Sequence, residues 1–157
     1  MSDSRYILVI ADDSPEMEIA LEYACARSKK TSRKIIIATF IEPLDVLTTQ
    51  GVTEIMKNEA REEAESLLQK AASQVKNKTG EIPSLALREG ETIAELKKLL
   101  EEEEKINVLV LAANSDPKNK ESNMIINSLV SQEIENLRVP IMIVPGNFSK
   151  DHIALIT

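Results

Sequence analysis

The chain has 157 residues, 43% of them hydrophobic, and a net charge of −7, which fits one globular domain large enough to bury most of its unfolded surface. The acidic balance, with a pI near 4.9, argues against a surface built to neutralise phosphate backbones, so nucleic acid is not an expected partner. No apolar run approaches bilayer length, no signal peptide precedes the first strand, and the single cysteine permits no internal disulfide; no membrane partner is expected, and the expected location is the cytoplasm.

Tyr6 to Ala11 is a short continuous apolar run, the form of a strand covered on both faces. In the following Asp12-Asp13-Ser14-Pro15-Glu16, Ser14 is the expected N-cap and Pro15 the first helical residue. Met17, Ala20, Leu21, Ala24 and Cys25 trace one helical face, which makes Cys25 a small core residue rather than a reactive thiol. Arg27, Lys29, Lys30, Arg33 and Lys34 gather where that helix ends and complement its dipole. Ile35 to Ile41 is a second buried strand, closed by Glu42-Pro43, and Leu44 to Gly51 is an irregular connection. The helix predicted over Thr53–Lys78 carries an apolar stripe of Ile55, Met56, Ala60, Ala64, Leu67, Leu68, Ala71 and Val75, and Gly80 stops it.

Ser84 to Arg88, short, alternating and preceded by Pro83, suits a sheet edge. Ile93, Leu96, Leu99 and Leu100 define a third helix, whose closing run Glu101 to Glu104 opposes the dipole; fraying, or partial offset by Lys97, Lys98 and Lys105, is expected there. Val108 to Ala113 reads as a central strand, and the polar loop Asn114 to Glu121 leaves its carboxyl end, where open α/β sheets place their ligand crevice. From Ser122 to Leu137 the residues Ile126, Leu129, Val130, Ile134 and Leu137 recur at helical spacing, and Pro140 opens the last strand, Ile141 to Val144. Strands alternating with helices call for a parallel sheet with right-handed crossovers. The expected organisation is one domain over residues 1–146 and a tail over 147–157 that is too short for a stable element of its own and docks on an edge or a partner subunit.

Catalytic chemistry has few carriers. The only histidine, His152, lies in the tail, away from every strand end, and one histidine with one cysteine makes no metal cluster. Asp12 and Asp13 directly follow the first strand, as a general base or metal ligand or simply as acidic residues facing a helix N-terminus; both readings stand. Paired aspartates also suit a two-component receiver domain. That family further needs an aspartate after strand three and a lysine after strand five, where this chain has Arg88-Glu89-Gly90 and Val144-Pro145-Gly146.

From Tyr6 to Pro145 the chain resembles the universal stress protein family. The resemblance rests on Asp12 closing the first strand with Ser14 beyond it, Phe40-Ile41-Glu42 closing the second, Glu89-Gly90 before the third helix, and Asn127-Ser128-Leu129-Val130 ahead of Pro140-Ile141-Met142-Ile143-Val144-Pro145. It implies an α/β fold, a three-layer open five-stranded parallel sheet of strand order 3-2-1-4-5 with helices on both faces, like adenine nucleotide alpha hydrolases. In many members ATP or a related adenine nucleotide lies between strands one and four, with a Gly-x2-Gly-x9-Gly-Ser/Thr motif around its phosphates. Carried over, the pocket residues are Ala11, Asp12, Phe40, Leu111, Ala112, Asn127, Ser128 and Leu129. The first motif glycine falls near Ala112 and the third on Asn127, the loop is longer than the pattern, and only Ser128 matches it. The expectation is a stress-response or signalling protein that holds no cofactor tightly and forms a homodimer through its fifth strand, with the tail as a further contact. An adenine-nucleotide module with an altered phosphate loop is the alternative, and a hydrolase or transferase using Asp12 or Asp13 a third reading.

Overall fold

The computed structural model describes residues 4–43, 50–116, 118 and 123–157. Five strands, β1 (Tyr6–Ile10), β2 (Lys34–Ile41), β3 (Ser84–Glu89), β4 (Ile106–Ala113) and β5 (Ile141–Pro145), form one parallel sheet in the order β3-β2-β1-β4-β5. Ile7 pairs with Ile35 on one side and Val108 on the other, which makes β1 the middle strand. The apolar runs are continuous because both faces are covered. Ile7, Val9, Ile35, Ile37 and Val110 pack against helices α1 (Met17–Thr31) and α2 (Gln50–Thr79), while Leu8, Ile10, Ile36, Leu109 and Leu111 pack against α3 (Thr92–Glu102) and Leu129 of the next helix. Among the described residues no helix is long and apolar enough to cross a membrane.

Four expectations are revised. First, α1 begins at Met17 rather than Pro15, with Glu16 at the N-cap. Ser14 does not cap it; its backbone N–H and hydroxyl both donate to Asp12 Oδ1. Second, α2 starts earlier than predicted, at Gln50, and spans 30 residues, roughly 45 Å of rise against the shorter reach of the strand it covers. Its first turns therefore overhang the carboxyl end of the sheet, leaving Ile55 and Met56 exposed, and burial on this helix begins with Ala64, Leu68, Ala71 and Val75. Of the connection predicted over Leu44–Gly51, residues 44–49 lie outside the described residues.

Third, the helix predicted from Ser122, a residue outside the described set, is composite: α4 (Met124–Ser128) is followed by a π turn over Leu129–Glu133 and a 3-10 turn over Ile134–Asn136. The change of pitch breaks the single stripe, so Leu129 is fully buried while Val130 and Ile134 face outward. Fourth, the tail forms α5 (Lys150–Ile156), capped by the Ser149 hydroxyl accepting from the His152 N–H. Ile153 is buried and Phe148 joins the core on the α1 face. The reason is coverage: β4 and β5 send their crossover helix to one face only, and this segment protects the other. His152 stacks edge to face on Phe148, with ring centroids 4.6 Å apart.

The acidic end of α3 is held by an unforeseen partner. Arg138 donates from Nε to the Leu100 carbonyl (2.8 Å), from Nη2 to Glu103 (2.9 Å) and from Nη1 to Glu104 (3.3 Å), placing a cation where the dipole is negative. Arg88 also pairs with Glu102 (2.6 Å), and that hydrogen bond holds the Glu102 carboxyl below its usual range. At the carboxyl ends of α1 and α2 the expectations stand. Lys29 and Lys30 occupy the last turn of α1, and Gly80, at φ 82°, follows α2 in the left-handed conformation that glycine adopts without penalty. Cys25 is buried in the core, where desolvation pushes its thiol up to about 11.

Candidate functional site

Strand order alone marks the place to look. The chain proceeds from β1 to β2 and β3 on one side and from β4 to β5 on the other, so the connections leaving β1 and β4 diverge to opposite faces and open a crevice at their carboxyl ends. One lip is the segment Asp12–Glu16 and the other is the loop that begins at Asn114.

On the β1 and β2 side a cavity of about 290 Å³ is lined by Ala11, Asp12, Thr39 and Phe40 from the strand ends, by Ala64 and Leu67 of α2, and by Ile125 of α4. The strand ends are fixed by hydrogen bonds: Ala11 N–H donates to the Ala38 carbonyl (2.7 Å), and the buried Thr39 hydroxyl donates to the Ala11 carbonyl (2.9 Å). Beside it, the overhang of α2 walls a larger space of about 640 Å³ whose charged lining is Asp13, Glu59, Glu62 and Glu63 against Lys70. Carboxylates outnumber the cation there, and an anionic ligand meets repulsion along that wall.

The β4 lip is bound to itself. Asn114 N–H donates to Asn123 Oδ1 (2.8 Å), and Asn123 Nδ2 donates back to the Asn114 carbonyl (3.1 Å), closing the loop at its two ends. Asn114 Oδ1 accepts from the Asp116 N–H (2.7 Å), and Asp116 Oδ1 accepts from the Lys118 N–H (2.9 Å). Across the crevice, Asn114 Nδ2 donates to Glu16 Oε1 (3.1 Å), and Glu16 is 6% exposed. Gly146 completes this corner: its N–H donates to the Ala113 carbonyl (2.7 Å), and a Cβ on it would stand 2.5 Å from that oxygen and 2.8 Å from Glu16 Cβ. Only a residue without a side chain fits so close an approach.

Of the eight residues expected at a pocket, Ala11, Asp12 and Phe40 line one cavity together. Leu111 is in the core on the α3 face, and Ala112 is half-buried in β4 opposite Val144. Asn127 is exposed and its carbonyl accepts from the Ser131 hydroxyl; Ser128 is half-buried, and Leu129 is fully buried. None of these five lines that cavity, where Ile125 represents α4 instead. The sequence marks the loop that opens at Asn114 but singles out neither the Asn114 side chain, Glu16 nor Asn123. Their one signal was position, since each flanks a strand or helix end at the crevice.

A sequence profile of the universal stress protein family matches residues 4–145. Among curated proteins no match was found. Among solved structures the chain is similar to universal stress protein UspA from Lactobacillus plantarum, with 11% identity, 92% of this chain and 99% of that chain covered, and a TM-score of 0.74. A protein from the universal stress protein family from Burkholderia pseudomallei aligns with 18% identity, coverages of 92% and 98% and a TM-score of 0.69. The universal stress protein from Archaeoglobus fulgidus in complex with dAMP aligns with 13% identity, coverages of 92% and 99% and a TM-score of 0.58. Identities this low establish the shared fold.

Proposed function

The chain belongs to the universal stress protein family, and from that premise we propose that it is a cytoplasmic stress-response or signalling protein that works as a homodimer and does not hold ATP tightly. The observation that carries this reading is the state of the loop after β4. A phosphate nest needs successive backbone N–H groups turned toward the anion, and those of Asn114, Asp116 and Lys118 each donate to a side-chain oxygen of the loop itself. Breaking such bonds to seat a phosphate offsets most of what the new ones contribute. The acidic wall of α2 adds to that cost. A single cysteine, buried and unpaired, suits a reducing compartment.

Association is proposed through β5. It ends the sheet, and its Met142 and Ile143 are 41% and 40% exposed, an apolar edge of the kind that recruits another chain. Ile141 packs on the α3 face and Val144 on the α1 face, so by alternation Ile143 shares the former and Met142 the latter.

A second reading, an adenine-nucleotide module with an altered phosphate loop, draws on the cavity shared by Ala11, Asp12 and Phe40 and on the dAMP complex of the Archaeoglobus fulgidus relative. Native mass spectrometry of protein purified without added nucleotide separates the two. The first reading predicts a dimer mass with no adenine nucleotide retained; a stoichiometric nucleotide adduct would establish the second.

A further inference from the structure

Among the described residues, a carboxylate makes a side-chain hydrogen bond from one lip of the crevice to the other. Glu16 is 6% exposed, stands at the N-cap of α1 and reaches Asn114 at the end of β4, 98 residues later in the chain. The Asn114 amide is itself pinned by Asn123 on its backbone N–H and by the Asp116 N–H on its side-chain oxygen, and Gly146 packs against Glu16 Cβ from the β5 side. This carboxylate is therefore held between the ends of β4 and β5, unlike the exposed Asp12 and Asp13.

We infer that Glu16 is a specificity-determining residue whose own carboxylate occupies the anion position of the crevice and bars phosphorylated ligands from it. The inference deepens, and rests on, the proposal that nucleotide is not held tightly. A phosphate accepting from the Asn114 N–H would share that corner with the Glu16 carboxylate, which the Asn114 side chain already holds, and like charges brought together there repel, the more strongly the higher the charge of the ligand. The neutral end of a ligand, in the cavity beside Ala11 and Phe40, carries no such penalty.

The test compares the wild type with Glu16→Gln, which keeps the shape and the acceptor for Asn114 while removing the charge, and with Asn114→Ala, which releases the contact but keeps the charge. Magnesium-free ATP and AMP are titrated into each and followed by NMR chemical shifts, with thermal melts to verify folding. Glu16→Gln should bind ATP at least tenfold more tightly than the wild type, AMP should gain no more than a third of that factor, and Asn114→Ala should gain nothing. No gain in folded Glu16→Gln overturns the inference, as does an equal gain for AMP and ATP or a gain in Asn114→Ala, either of which would assign the effect to loop opening. A wild type that itself binds ATP below roughly 10 µM defeats the underlying proposal; a weak wild type with an unimproved Glu16→Gln defeats only the role of Glu16.

Discussion

Replacing Asn123 by alanine probes the closed loop directly. The substitution removes the acceptor for the Asn114 N–H (2.8 Å) and the donor to the Asn114 carbonyl (3.1 Å). Net hydrogen-bond contributions of about 0.5–1.5 kcal/mol each sum to about 1–3 kcal/mol, and the half-buried setting places the effect at ~1–2 kcal/mol. No capping loss is added, because the Asn123 side chain makes no hydrogen bond to the first turn of α4. For a domain of this size that corresponds to a fall in Tm of roughly 3–6 °C. Amide hydrogen exchange reports the mechanism: Asn114 should lose protection at least tenfold, whereas Gly146, whose N–H bonds to Ala113, should change little. A melting temperature within about 1 °C of wild type, with unchanged exchange at Asn114, would refute the claim that the loop is held by its own side chains.

Arg138→Ala should cost about 2 kcal/mol in denaturant unfolding, since three carbonyls at the acidic end of α3 lose a charged donor; Arg138→Lys should recover only a fraction, because one ammonium cannot span them. The Cys25 thiol, raised from 9.0 to about 11 by burial, contributes stability that is fully present below pH 9 and lost as pH rises toward 11, so Cys25→Ala should flatten the alkaline arm of stability against pH. Native Cys25 should also react with a thiol reagent at pH 8 only at the rate of opening. Ile143→Lys should shift a dimer toward monomer by light scattering at micromolar concentration, with the melting temperature of the fold largely kept; an unchanged mass would remove β5 as the interface.

Elements whose fate depends on hydrophobic period were legible in the sequence, and those that depend on distant partners were not. Tyr6 to Ala11, Ile35 to Ile41 and Val108 to Ala113 read as buried strands because helices on both faces demand unbroken apolar runs, and the resemblance supplied their order. Arg138 could not be assigned to α3, since its three acceptors lie 34 to 38 residues earlier. The outward turn of Val130 and Ile134 follows from a π turn that a periodicity of 3.6 does not anticipate. At the crevice, Asp12 was legible through its place after the first strand, and Phe40 only through the family resemblance. Glu16 carries no signal in the sequence beyond its place near a helix start, and its meeting with Asn114 is a property of the folded sheet.

Titration calorimetry of the wild type with ATP and magnesium tests the central claim most directly. With the N–H groups of Asn114, Asp116 and Lys118 already engaged, the account predicts a dissociation constant weaker than roughly 100 µM or no measurable heat. A constant of roughly 10 µM or tighter, abolished by Asp12→Ala and by Ser128→Ala, would contradict it.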